Sequence, residues 1–81
     1  MKRIKIKLET FDDIKIFASK IVRVESEVDI IKGSRVYDAK SIMGVLNMGT
    51  LDGVFVEIHS DDEEEIKFFN ELMEEFKVNE D

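Results

Sequence analysis

The segment DAKSIMGVLNMG, Asp38–Gly49, places large apolar residues around a single serine and ends on a glycine. Serine is favoured at a helix N-cap, and glycine is favoured just past a helix end. We therefore predict a short helix that begins at Ser41 and stops at Gly49. Ser41 is then either only the cap of this helix or also a point of control.

The residues toward the amino terminus predict a strand followed by a helix. Residues 3–9, RIKIKLE, alternate apolar and charged side chains, as a half-buried strand does. Thr10 followed by Asp13 resembles a helix-capping pair. Apolar residues then recur at intervals of three and four, which predicts a helix near 11–23. They are Phe11, Ile14, Phe17, Ala18, Ile21 and Val22.

A hairpin is predicted directly before the serine segment. Glu27–Lys32 has the pattern of a second strand, with Val28 and Ile30 pointing inward. Gly33-Ser34 is a two-residue turn whose first position accepts a positive backbone dihedral. Arg35–Tyr37 then returns as a short third strand.

A fourth strand and a last helix follow the serine segment. Asp52-Gly53 is a turn signal, and the next residues alternate between two faces. One face carries Val54, Val56 and Ile58, and the other carries Phe55, Glu57 and His59. Ser60 with Glu63 predicts a capping box at the start of the last helix. The buried stripe of that helix is predicted to be Ile66, Phe69, Met73 and Phe76.

The predicted order is therefore β-α-β-β-α-β-α within a single domain, residues 1–81. Elements this short favour one sheet with helices on a single face over a doubly wound parallel sheet. We predict an α/β (α+β) fold of the open-faced β-sandwich type. It has a four-stranded antiparallel sheet and three helices on one face.

Charge and composition limit the partners and the compartment. The net charge of −7 opposes nucleic-acid binding, which requires a basic surface. No apolar run is long enough to span a membrane, and the alternating start is unlike a signal peptide. We therefore expect a cytoplasmic protein with no nucleic-acid or membrane partner.

The sequence lacks the usual signs of an enzyme or of a metal site. It has no cysteine, and its one histidine, His59, shares the outer strand face with Glu57, where an inert role is expected. The acidic run at residues 61–65 lacks the ligand spacing and glycine of a calcium loop. We expect no catalytic residues, no cofactor, no metal and no enzymatic activity.

The segment KSIMGVLNMG, Lys40–Gly49, resembles the regulatory-serine segment of HPr, the small phosphocarrier of the bacterial sugar phosphotransferase system. That segment typically reads KSIMGVMSLG. The identical positions are Lys40, Ser41, Ile42, Met43, Gly44, Val45 and Gly49. HPr proteins also have the order β-α-β-β-α-β-α, with a glycine-led fourth strand that Gly53 fits. The resemblance thus extends over nearly the whole chain.

The same resemblance shows a departure at the first helix. HPr proteins carry their phosphorylated histidine in GIHARPA, at the start of that helix. The corresponding stretch here is DDIKIFAS, Asp12–Ser19, and aligning it on Ala18 places Ile14 at the histidine position. Isoleucine has no nucleophilic nitrogen, and Asp12 and Asp13 would repel a phosphoryl group. We therefore expect the phosphohistidine relay to be absent.

The resemblance implies a regulatory role for Ser41. In many family members the matching serine is phosphorylated by a dedicated kinase, and the product binds a regulatory protein. A helix N-cap favours a phosphate, because free amide groups and the helix dipole face it. By the same resemblance, Ile42, Met43 and Leu46 form an apolar patch for a protein partner.

Three alternatives remain open at the level of sequence. Ser41 is a good N-cap whether or not a kinase acts on it. The chain is alternatively a structural or oligomeric HPr-fold module, for example a homodimer that uses Phe55 on the exposed sheet face. The third alternative is a phosphocarrier, as the family resemblance implies, although the chain lacks the family's usual histidine nucleophile.

Overall fold

The computed structural model describes residues 1–41 and 51–78 of the chain. The strands are β1 Arg3–Leu8, β2 Val28–Lys32, β3 Arg35–Asp38 and β4 Leu51–Ile58, and the helices are α1 Phe11–Ile21 and α2 Glu63–Met73, followed by a 3-10 turn, Glu74–Phe76. The described residues therefore contain two α-helices instead of the three predicted. Apart from Ser41, the predicted helix from Ser41 to Gly49 lies outside them.

The four strands form one antiparallel sheet in the order β1-β4-β2-β3. Val56 lies at its centre, opposite Ile4 on one side and Ile30 on the other. The register of β1 against β4 shifts between Ile6 and Lys7. The predicted four-stranded antiparallel open sheet is confirmed.

The core fills the space between the inner face of the sheet and the two helices. Alternate residues of β1, β2 and β4 are buried, as the period-two pattern predicted. The ring of Phe17 on α1 contacts that of Phe76 edge to face, with centroids 5.9 Å apart. The buried residues are Ile4, Ile6, Leu8, Phe17, Ile21, Val24, Val28, Ile30, Ala39, Val54, Val56, Ile58, Phe69, Leu72, Met73 and Phe76.

Local chemistry explains the β2–β3 turn and the start of α2. Gly33 has a φ of 62°, a value that glycine adopts without strain, so the predicted turn is confirmed. The predicted capping box of Ser60 and Glu63 is wrong, because Asp62 is the N-cap of α2. Its carboxylate accepts the Glu64 amide at 2.9 Å, while Ser60 Oγ accepts the Asp62 amide at 3.1 Å. Ser60 thus orders the turn before the helix.

No helix among the described residues is long and apolar enough to cross a membrane.

Candidate functional site

Ser41 is exposed at the end of a tight turn that follows β3. Its amide donates to the Asp38 carbonyl at 3.1 Å. The Asp38 carboxylate accepts the Lys40 amide at 2.9 Å, and this local hydrogen bond stabilises the turn. The structure therefore presents Ser41 to solvent on a hydrogen-bonded backbone.

Lys40 connects this turn to the loop that follows α1. Its ammonium donates to the carbonyls of Val24 and Glu25, the latter at 3.2 Å. A charged donor on two backbone carbonyls is stronger than a neutral hydrogen bond. The residue before Ser41 is thus held in place, and it brings a positive charge to this part of the surface.

The amino end of α1 is closed by its own side chains. Thr10 is the N-cap, and its hydroxyl accepts the Asp13 amide at 3.1 Å. The Asp13 carboxylate in turn accepts the amides of Glu9 at 3.0 Å and Thr10 at 3.2 Å. With Asp12 also in the first turn, the acidic side chains match the positive end of the helix dipole. The predicted capping pair of Thr10 and Asp13 is confirmed.

Ile14 lies inside α1, one turn after the cap. Its amide donates to the Thr10 carbonyl at 3.2 Å, and its side chain packs against the core. The residue at the helix start is therefore Thr10, which the sequence analysis did not consider as a site residue. The spacing of Thr10 and Asp13, which predicts a helix cap, is the signal that could have found it. That Ile14 takes the place of the family's histidine stays a prediction.

His59 lies after β4 on the outer face of the sheet, and α1 packs on the inner face. Its Nε2 atom is 2.6 Å from Oδ2 of Asp29. This hydrogen bond, together with the charges of Asp29, Glu57 and Glu27, raises the pKa of His59 above its ordinary value. The structure therefore keeps the chain's one imidazole away from the amino end of α1.

The predicted partner-binding residues Ile42, Met43 and Leu46 lie outside the described residues, so their placement stays a prediction. A shallow, largely apolar groove lies beside Ser41. Its lining residues are Lys15, Ala18, Ser19, Val22, Ala39 and Lys40. Residues 1–41 and 51–78 contain no cluster of three or more acidic or histidine side chains suited to a metal ion.

The chain matches one family model and several solved structures. The family model of the PTS HPr component phosphorylation site matches residues 14–77. The crystal structure of HPr-C-His from Thermoanaerobacter tengcongensis is 27% identical, with a TM-score of 0.66, and the match covers 91% of this chain and 92% of that one. No curated protein matches the sequence significantly.

Two further structures share the fold at lower identity. The phosphocarrier protein HPr from Bacillus anthracis str. Ames has a TM-score of 0.70 at 21% identity, and 94% of each chain is covered. The histidine-containing phosphocarrier protein of Mycoplasma has a TM-score of 0.61 at 20% identity, and 90% of each chain is covered. Because the family model spans well over half of the sequence, the chain belongs to the HPr family of the phosphotransferase system.

Proposed function

We propose that this HPr-family protein acts by binding a protein partner under the control of phosphorylation at Ser41. In this proposal it does not carry a phosphoryl group on a histidine at α1. It is not an enzyme, and it works in the cytoplasm, where the protein partners of the phosphotransferase system are found.

The observation that carries this proposal is the chemistry at the amino end of α1. A helix amino end binds an anion through its free amide groups. Here the Asp13 carboxylate accepts the amides of Glu9 and Thr10. The chain's own carboxylate therefore occupies the position that a bound anion would take. An incoming phosphoryl group would meet Asp12 and Asp13, and like charges repel. The N-cap and the first residue of α1 are Thr10 and Phe11, and neither side chain has a nucleophilic nitrogen.

His59 is a poor substitute for a histidine at that position. Its Nε2 atom is bonded to Asp29, and Glu27 and Glu57 add negative charge around it. A phosphoryl group on this ring would therefore face several carboxylates.

Ser41 has the exposure and the setting that a kinase substrate needs. It is exposed at the end of the Asp38–Ser41 turn, and the preceding residue, Lys40, is held by hydrogen bonds to the loop after α1. If the predicted helix begins at Ser41, a phosphate on its hydroxyl gains the free amides of the first turn. Such a phosphate adds charge without requiring the helix to unfold.

A partner would then contact the surface on both sides of Ser41. We assign Ile42, Met43 and Leu46 to this contact, together with the groove beside α1 that Val22 and Ala39 help to line. Apolar side chains beside a switchable charge suit a complex that forms only after phosphorylation.

Intact-mass spectrometry after incubation with ATP and a kinase specific for the HPr serine tests this proposal. We expect one acid-stable phosphoryl group on the wild-type chain and none on Ser41→Ala. Ser34→Ala is the matched control, because Ser34 is also exposed, in the β2–β3 turn, and this variant should still be phosphorylated. No added mass on the wild type, or equal phosphorylation of Ser41→Ala, would refute the regulatory role.

A further inference from the structure

The outer face of the sheet carries an apolar row across three of its strands. The strand register aligns Lys5, Phe55, Ile31 and Val36 side by side, from β1 to β3. Lys5 and Phe55 lie between buried neighbours and Ile31 follows buried Ile30, so their side chains point away from the core, and Val36 shares their face because it pairs with Ile31. Val36 is 61% exposed, although a valine in a strand is usually packed. Three adjacent apolar side chains therefore face solvent or a partner.

The next row of the same face is charged and asymmetric. It runs from Arg3 on β1 through Glu57 and Asp29 to Asp38 on β3. The guanidinium of Arg3 stacks on the Phe55 ring, 4.8 Å from its centroid, and lies 3.8 Å from the Glu57 carboxylate. This row thus has a cation at its β1 end and a carboxylate at its β3 end.

We propose that this outer face, defined by the Lys5–Val36 row and the Arg3–Asp38 row, binds a second copy of the chain. A row with a cation at one end and a carboxylate at the other places opposite charges together when it meets a second copy of itself in reverse order. A two-fold axis parallel to the strands lays β1 of one copy over β3 of the other. Arg3 then faces Asp38 of the second copy, and this pair occurs twice.

The same axis also brings the apolar rows together. Phe55 of one copy lies over Ile31 of the other, and Lys5 lays its aliphatic stem along Val36. The acidic Glu57 and Asp29 come opposite each other near the centre. Their partners within each copy, Arg3 and His59, lie close enough to offset this repulsion. Asp38 also closes the turn that precedes Ser41, so this contact borders the surface around Ser41.

The size of the face sets the strength of the complex. Four strands about 4.8 Å apart make a face less than about 20 Å wide. The strands have four to eight residues and are therefore about 13–26 Å long at about 3.3 Å per residue, so two such faces bury less than the roughly 1,200 Å² that marks the lower limit of a standard interface. The dimer is therefore weak, depends on concentration and dissociates in high salt, which screens the Arg3–Asp38 pairs.

Sedimentation equilibrium over a concentration series at low salt tests the proposal with a charge swap. Arg3→Glu and Asp38→Lys each place like charges at both pairs, so each should raise the dissociation constant at least tenfold. An equimolar mixture of these two variants has opposite charges at both pairs. We therefore expect the mixture to form a heterodimer that is tighter than the homodimer of either variant but weaker than the wild-type dimer, because Arg3→Glu also removes the partner of Glu57.

Two controls and a second variant complete the experiment. Lys67→Glu and Glu71→Lys make the same charge changes on exposed positions of α2 and should leave the dimer unchanged. Val36→Asp should abolish the dimer while the melting temperature stays within a few degrees, because Val36 lies outside the core. A wild-type monomer at every concentration would overturn the proposal. So would a dimer that survives both charge reversals, or a mixture that stays monomeric.

Discussion

At the amino end of α1, Thr10 and Asp13 satisfy amide groups that would otherwise lack partners. Replacing an N-cap threonine by alanine typically costs about 1 kcal/mol of stability. We predict this loss for Thr10→Ala in urea unfolding, because the Asp13 amide loses its acceptor. Thr10→Ser keeps the hydroxyl and should be nearly neutral. Equal stability of the two variants would show that the hydroxyl does not stabilise α1.

His59 gives the chain a specific pH dependence. Its hydrogen bond to Asp29 raises its pKa in the folded state, so the protonated ring stabilises the fold. This contribution is fully present below the unfolded pKa of about 6.5. It is lost as the pH rises through the higher folded pKa. The effect is small, because solvent reaches both side chains, of which His59 is 47% and Asp29 31% exposed.

The corresponding measurement is the free energy of unfolding from about pH 5.5 to 8, a range that brackets the ordinary histidine pKa. We predict that wild-type stability falls across this range and that His59→Gln removes the decline. An equally steep decline in the variant would assign it to other groups.

Single residues also show where the sequence is informative. Thr10 and Asp13 predicted their own capping pair, because the hydrogen bonds join residues three apart in the chain. Ser60 misled the prediction, because Asp62 is an equally good cap two residues later. A sequence pattern alone does not show which of two nearby capping residues begins the helix. Which one is used depends on where α2 packs against the sheet.

Among the secondary-structure elements, the β2–β3 hairpin depends on the backbone of Gly33. A Cβ there would meet no atom within 4 Å, so a substitution acts through the φ of 62° alone. This conformation costs a residue with a side chain roughly 1–2 kcal/mol. We predict that Gly33→Ala lowers the free energy of unfolding by about this amount, measured by urea titration. Gly33→Asn should cost less, because asparagine tolerates positive φ. Equal losses would contradict this explanation.

The docking of α1 on the sheet depends on its buried face. Phe17 is fully buried against Phe76, whereas Phe11 on the same helix is 61% exposed. We predict that Phe17→Ala costs about 3–5 kcal/mol. Phe11→Ala is the matched control and should change stability by less than about 0.5 kcal/mol. Thermal melting of the two variants checks this, and similar losses would mean that the inward face of α1 has been misassigned.

On the scale of the whole molecule, the element order and the inward faces followed from periodicity. Ile4, Val28 and Val56 were all expected in the core and all lie there. The strand order β1-β4-β2-β3 could not be predicted from periodicity. The alternation of apolar and polar residues indicates which face of a strand is buried, but it does not indicate which strands pair. The alignment of Phe55 with Ile31 and Val36 is equally invisible in the sequence. It depends on the register between β2 and β4, which are distant in the chain, whereas the predicted Gly33-Ser34 turn places only Ile31 opposite Val36.

We propose that this HPr-family chain has the fold without the phosphocarrier chemistry at α1. The most direct test is intact-mass spectrometry after incubation with phosphoenolpyruvate and the general phosphotransferase enzyme, with a histidine-containing HPr as positive control. We predict no added mass on the wild type or on His59→Gln, because Asp12 and Asp13 occupy the helix start. An acid-labile phosphoryl group on the wild-type chain would contradict this claim, and its loss in His59→Gln would identify the carrier.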